Sequence, residues 1–212
     1  MGLQDQGAFG GFRNKTGPLI GVKRNGQNVI TALHTPTSIA PTAEQLEQRM
    51  VFKVAQQFVR KVTAIVRQGF LSHKRTRSGY NEAMAYHLKN AVIGTYPNLT
   101  IDPELAIFSQ GELGMASGAT VASLAGSKVK FSWLNPALSD TKGTDLVTVL
   151  AYSPVHKRFA ALPNVVSRAT LNYDLQVPAV FAGTEIHCYL FFTSADKKQV
   201  SDSEYLGAID II

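Results

Sequence analysis

Cysteine is almost missing from this chain: Cys188 is the only one in 212 residues. One thiol excludes an intrachain disulfide, so packing has to hold the fold. Cys188 stands in the apolar run 186–192, where a buried, unreactive thiol is expected. Long hydrophobic runs are missing too. None approaches the ~18 apolar residues a helix needs to cross a bilayer, so no membrane span is predicted. The N-terminus, Met-Gly-Leu-Gln-Asp-Gln, lacks the basic and apolar regions of a secretory signal. Gln6 stands where N-myristoylation needs Ser or Thr. The expected location is cytoplasmic as synthesised, with export by another route or incorporation in a particle left open.

Acidic charge is scarce in the front half. Residues 1–100 hold 13 Lys and Arg against 4 Asp and Glu, whereas residues 101–212 hold 8 against 11. The split predicts two parts, 1–100 and 101–212, the first able to meet an anionic partner such as an acidic protein surface or nucleic acid. Over the whole chain, 45 % of residues are hydrophobic and 17 % charged. That composition supports a real core and excludes a disordered chain. So low a charge also fits a surface partly covered by other copies, a homo-oligomer.

Residues 1–18 carry Gly2, Gly7, Gly10, Gly11 and Gly17 and read as a flexible arm, or as backbone that packs closely against something. Asn25-Gly26 then separates two alternating runs, 19–24 and 27–32. That is a type I′ hairpin signal, with Val22 facing Val29. Thr42-Ala43-Glu44-Gln45 fits a capping box and opens a helix expected to run to about Gln68. Leu46, Met50, Val54, Phe58, Val62 and Ile65 form its apolar face. A second helix is expected from Ser78 to Ile93, with Gly94 as its stop.

After Tyr96-Pro97, β-rich runs recur at 105–109, 120–124, 128–133, 146–152, 170–177, 185–193 and 205–209. Short strands at this spacing predict an antiparallel sandwich. The expected fold is therefore α+β: a hairpin and two-helix segment followed by an immunoglobulin- or fibronectin III-like β-sandwich. A jelly roll is the main competitor. Trp133 reads as a core residue, and Tyr189 as a tyrosine corner of such a sandwich.

Reaction motifs are absent. A phosphate-binding loop at Lys15-Thr16 would need glycines where Phe9 and Asn14 stand. There is no Gly-x-Ser-x-Gly elbow, and the histidines at 34, 73, 87, 156 and 187 have no ligand spacing. His187 and Cys188 are neighbours on a strand and point to opposite faces. No catalytic residue, cofactor or metal is expected. What remains is a basic stripe. Arg49, Lys53, Arg60 and Arg67 fall within about 40° of one another on an ideal helix. Lys74, Arg75 and Arg77 follow in the next loop. These seven cations are the candidate partner-binding residues, suited to a phosphate backbone or an acidic neighbour.

Several segments together look familiar. They are Gly-Pro-Leu-Ile-Gly at 17–21 with the hairpin that follows, Pro-Thr-Ala-Glu-Gln-Leu-Glu-Gln-Arg from Pro41, and Ser-Gly-Tyr-Asn-Glu-Ala from Ser78. Leu-Lys-Asn-Ala-Val-Ile-Gly-Thr-Tyr-Pro from Leu88 and Val-Ser-Asp-Ser-Glu-Tyr-Leu-Gly from Val200 complete the set. In this order they resemble an uncharacterised family of about this length in Bacteroidota genomes, often present in several copies. The resemblance implies a bacterial or phage setting and a complete chain, and carries no site residues. The expected function is non-enzymatic: a structural or assembly protein that self-associates through its N-terminal arm, hairpin and sandwich edges, as in a filament, shell or phage-like particle. The alternative is a nucleic-acid-associated protein that uses the stripe.

Overall fold

The fold comes from a computed structural model that describes residues 3–4, 10–24, 26–35, 38–70, 78–135 and 141–212. Two compact units divide it, 1–42 and 43–212. The first is a four-stranded antiparallel sheet in chain order: β1 Leu3–Gln4, β2 Phe12–Thr16, β3 Leu19–Arg24 and β4 Gln27–Ala32. The β3–β4 hairpin has the expected bounds, and Val22 pairs with Val29. Asn25 of its turn lies outside the described residues. Gly26 has φ +83°, a value that favours glycine. The arm expected over 1–18 contributes two strands instead, because β2 finds backbone partners along β3.

The second unit opens with α1 Ala43–Val59. The single helix expected to Gln68 is broken. A 3-10 turn spans Arg60–Val62, and α2 Thr63–Gly69 follows. Val62 leaves helical geometry at φ −118° and ψ 26°. β-Branched Val59, Val62 and Thr63 weaken the helix here, and the Thr63 hydroxyl donates to the Arg60 carbonyl at 2.8 Å. The second helix, α3 Gly79–Asn90, starts as expected after Ser78, whose hydroxyl accepts from the Asn81 amide. It ends before Ile93. Residues Val92–Thr95 instead form β5, paired with β6 Asn98–Ile101.

Seven strands make the sandwich: β7 Ser117–Leu124, β8 Lys128–Leu134, β9 Leu146–Ser153, β10 Arg158–Ser167, β11 Asn172–Gln176, β12 Glu185–Thr193 and β13 Glu204–Asp210. One sheet has the order β10-β9-β12-β13, the other β11-β8-β7. β8 alternates as expected, with Val129, Phe131 and Trp133 buried.

The four-stranded sheet is buried on both faces. Val147, Val149, Ala151, Cys188, Leu190 and Phe192 pack toward Val129, Phe131 and Trp133 of the other sheet. Leu150, Tyr152, Tyr189 and Phe191 pack on the opposite side with Phe58, Val62 and Ile65 from the helical segment. The helices and the sandwich therefore share one core, and the boundary falls after Thr42 rather than near residue 100.

Two expectations about single segments change. Residues 105–109 are an apolar loop rather than a strand. Ala106 and Phe108 are buried, but the Phe108 amide donates to the Ser203 hydroxyl at 3.0 Å, and no neighbouring strand pairs here. Tyr189 is not a tyrosine corner: its hydroxyl donates to the Pro103 carbonyl at 2.6 Å, 86 residues upstream, and ties that loop to the sheet.

Among the described residues, one ion pair is buried. Arg168 is 0 % exposed; its Nη atoms donate to the Gly114 and Met115 carbonyls at 2.6 and 3.2 Å. Its Nε lies 3.4 Å from Asp145 Oδ2, and its guanidinium covers the Phe192 ring at 3.6 Å. The Trp133 indole donates to the Arg168 carbonyl at 2.8 Å. Arg168→Met leaves Asp145 buried and uncompensated and should cost about 3–5 kcal/mol, read from urea unfolding. A Cβ on Gly69 would meet the Phe108 carbonyl oxygen. Gly69→Ala should therefore lower stability by about 1–3 kcal/mol in the same assay.

Candidate functional site

Arg49 and Lys53 lie exposed on α1, Arg60 on the 3-10 turn and Arg67 on α2. The helix break means that these four cations do not share one continuous helical line. Lys74, Arg75 and Arg77 lie outside the described residues. α1 buries its apolar face unevenly: Phe58 is 4 % exposed, whereas Leu46 is 39 % exposed; Phe52, which lies off that face, is 50 % exposed.

Tertiary structure builds a cationic group that the stripe does not contain. The turn between β9 and β10 brings Lys157 and Arg158 beside the 3-10 turn that carries Arg60 and Lys61. The Lys61 ammonium donates to the Lys157 carbonyl. Burial, then the positive charges of Lys157 and Arg158, push the Lys61 pKa down from its usual range. Among the described residues the ion pairs lie elsewhere, at Arg168–Asp145, His187–Glu185 and Lys198–Asp196. Lys157 has φ +50°, a left-handed conformation that glycine or asparagine adopts more readily. Beside these cations, Val54, Phe58, Leu99, Ile101, Tyr152 and Pro154 line a groove of 160 Å³. The sequence signal was Lys157-Arg158 itself, a short basic pair. Its partner, Lys61, is 96 residues away, which spacing rules do not reach.

A second cleft, of 480 Å³, is lined by Glu112, Lys142, Thr144, Asp145, Ser194 and Asp196 among others. Asp145, Ser194 and Asp196 are already engaged. Asp145 accepts from the Lys142 amide at 2.9 Å and neighbours Arg168. The Ser194 hydroxyl donates to Asp196 at 2.6 Å, and this bond holds the Asp196 carboxyl below its usual range. Among the described residues, no histidine lines the cleft. Among the described residues, no group of three His, Cys, Asp or Glu is placed to hold a metal ion.

His87, His187 and Cys188 are buried and packed. His87 donates from Nδ1 to the Ala83 carbonyl at 2.7 Å and lies between the Phe58 and Phe108 rings. Burial lowers its pKa. His187 meets the Tyr205 hydroxyl at 2.8 Å, and burial lowers its pKa despite Glu185 nearby. Burial pushes the Cys188 thiol up to about 12, so it stays protonated and inert.

A family profile matches residues 11–207, across both compact units. The chain belongs to that family, DUF6266, a family of unknown function. No curated protein matches the chain. Among solved structures, the twitchin kinase region from C. elegans is similar at 16 % identity and a TM-score of 0.36. That match covers 48 % of this chain and 17 % of the twitchin region, so the chain spans about a sixth of its length. The fn3 domain of human collagen alpha-1(XX) is similar at 17 % identity and a TM-score of 0.32, over 47 % of this chain and 85 % of that domain.

The two depressed histidines set a pH dependence for this DUF6266 chain. In the unfolded state both take protons near the ordinary histidine value of 6.5, whereas the folded state resists protonation. Stability should be full above that value and fall as pH drops below it, toward the lower folded-state values. His87→Met keeps most of the volume and removes one titrating group. Denaturant midpoints between pH 7.5 and 5, as approximate bounds, should then fall less steeply than in the parent chain.

Proposed function

We propose that this chain is a non-enzymatic structural or assembly protein that self-associates through its N-terminal sheet. The observation that carries this reading is a sheet without a core. Among the described residues of 1–42, no hydrophobic side chain is buried; Leu3 is 59 %, Leu19 41 % and Ile30 56 % exposed. A sheet of this size needs a covered face to be stable. Its edge strand β4, Gln-Asn-Val-Ile-Thr-Ala, has no charge or proline to discourage pairing. Two edges of the fibronectin III-like sandwich are better guarded. β10 carries Pro163 and a register shift between Leu162 and Val166, and β11 carries Asp174. The occupant is therefore a second copy, paired antiparallel along β4 about a two-fold axis. The Bacteroidota setting and multiple genomic copies implied by the resemblance belong to the same reading.

Exposure of Arg49, Lys53, Arg60 and Arg67 supports the second reading, a nucleic-acid-associated protein. Light scattering separates the two. Self-association predicts a dimer or larger species at high concentration, free of excess 260 nm absorbance, and conversion to monomer by Ile30→Lys. A monomeric parent chain at high concentration and low salt would defeat the assembly reading. Co-purifying nucleic acid that is lost on charge reversal at Arg60 and Arg67 would favour the second.

A further inference from the structure

We propose that Arg60, Lys61, Lys157 and Arg158, together with the adjoining groove, form a binding site for a small phosphorylated molecule with an apolar body. The phosphate meets the cations, and the body enters the groove lined by Val54, Phe58, Ile101, Tyr152 and Pro154. This proposal is independent of self-association through the N-terminal sheet.

Three observations carry it. First, the four cations come from segments 96 residues apart in sequence and are joined by the Lys61–Lys157 hydrogen bond. Bringing like charges together costs free energy, and among the described residues no carboxylate pairs with any of the four. A dianionic group would offset that repulsion through charge-assisted hydrogen bonds. Second, Lys157 occupies a left-handed position at φ +50°. Glycine there would relieve the backbone, so a lysine at that point trades stability for a charge. Third, Lys61 and Lys157 themselves line the groove, with Gln57 and Thr100; its remaining walls are apolar or aromatic, and it measures 160 Å³. A cavity of about 150 Å³ accepts a benzene ring, so the space suits one ring or a short aliphatic group. A duplex backbone is a poorer fit, because a concave apolar pocket offers nothing to a chain of phosphates.

The test is an NMR titration of the full-length protein at low salt with inorganic phosphate, phenyl phosphate and a duplex oligonucleotide. Phenyl phosphate should shift the amides of residues 54–61 and 152–158 saturably, and bind severalfold tighter than inorganic phosphate. Lys61→Gln should weaken that binding by about tenfold or more, as expected for a charge-assisted contact. Lys157→Gly separates function from structure: it should raise the thermal midpoint while weakening phenyl phosphate binding. Arg67→Gln, on α2, should leave binding unchanged. The proposal is overturned by an absence of saturable shifts, by equal losses in the Arg67 and Lys61 variants, or by unimpaired binding in Lys157→Gly. A response to the oligonucleotide with none to phenyl phosphate also overturns it, in favour of a polyanion surface.

Discussion

The whole of residues 43–212 depends on one constraint: the sheet β10-β9-β12-β13 is covered on both faces. An antiparallel sheet often leaves one face to water and then alternates apolar with polar residues. β9 and β12 do not alternate in this way. Every residue from Val147 to Ser153 and from Ile186 to Thr193 is buried. Successive residues feed opposite cores, as Leu190 and Phe191 show. The helical segment is therefore a layer of this unit, and removing it would expose Leu150, Tyr152, Tyr189 and Phe191 together.

Polar groups inside this arrangement are placed where they hold layers in register. Gln68 and Asn164 exchange amide hydrogen bonds at 3.0 and 3.1 Å, which pins α2 to β10. Tyr189 holds the 103 loop, and Ser203 holds Phe108. Arg168 joins the 114–115 segment, Asp145 and the Phe192 ring at one end of the sandwich. The two classes of cation differ by environment. Arg168 is buried, and its contacts to the Gly114 and Met115 carbonyls, Asp145 and the Phe192 ring all lie within the fold. The group around Lys61 is exposed, and among the described residues no carboxylate pairs with it.

Local patterns were legible wherever a neighbouring residue enforces them. The β3–β4 hairpin, the Ser78 cap, the β8 alternation and the buried cysteine were all readable from short windows. β10 was not, because Pro163 and Asn164 interrupt its run. The strand tolerates both as an edge strand with a register shift, and Asn164 adopts φ +54°. The helix break at Arg60–Val62 was hidden because the apolar spacing continues through it. Of the candidate site residues, Arg49, Lys53, Arg60 and Arg67 were correctly expected at the surface. The cluster of Arg60 and Lys61 with Lys157 and Arg158 was out of reach.

By itself the amino-acid sequence determined the strand and helix inventory in outline, the lack of a disulfide, and the excess of positive charge before residue 100. These follow from residue chemistry and from periodicities of two and 3.6, which act over a few residues. Tertiary structure alone decided that helices and sandwich share a core, that the chain divides after Thr42, and that Tyr189 reaches Pro103. It also decided which cations stand together. Such facts depend on contacts between residues tens of positions apart, where the free energy lies in matching surfaces and no short window carries a record of it.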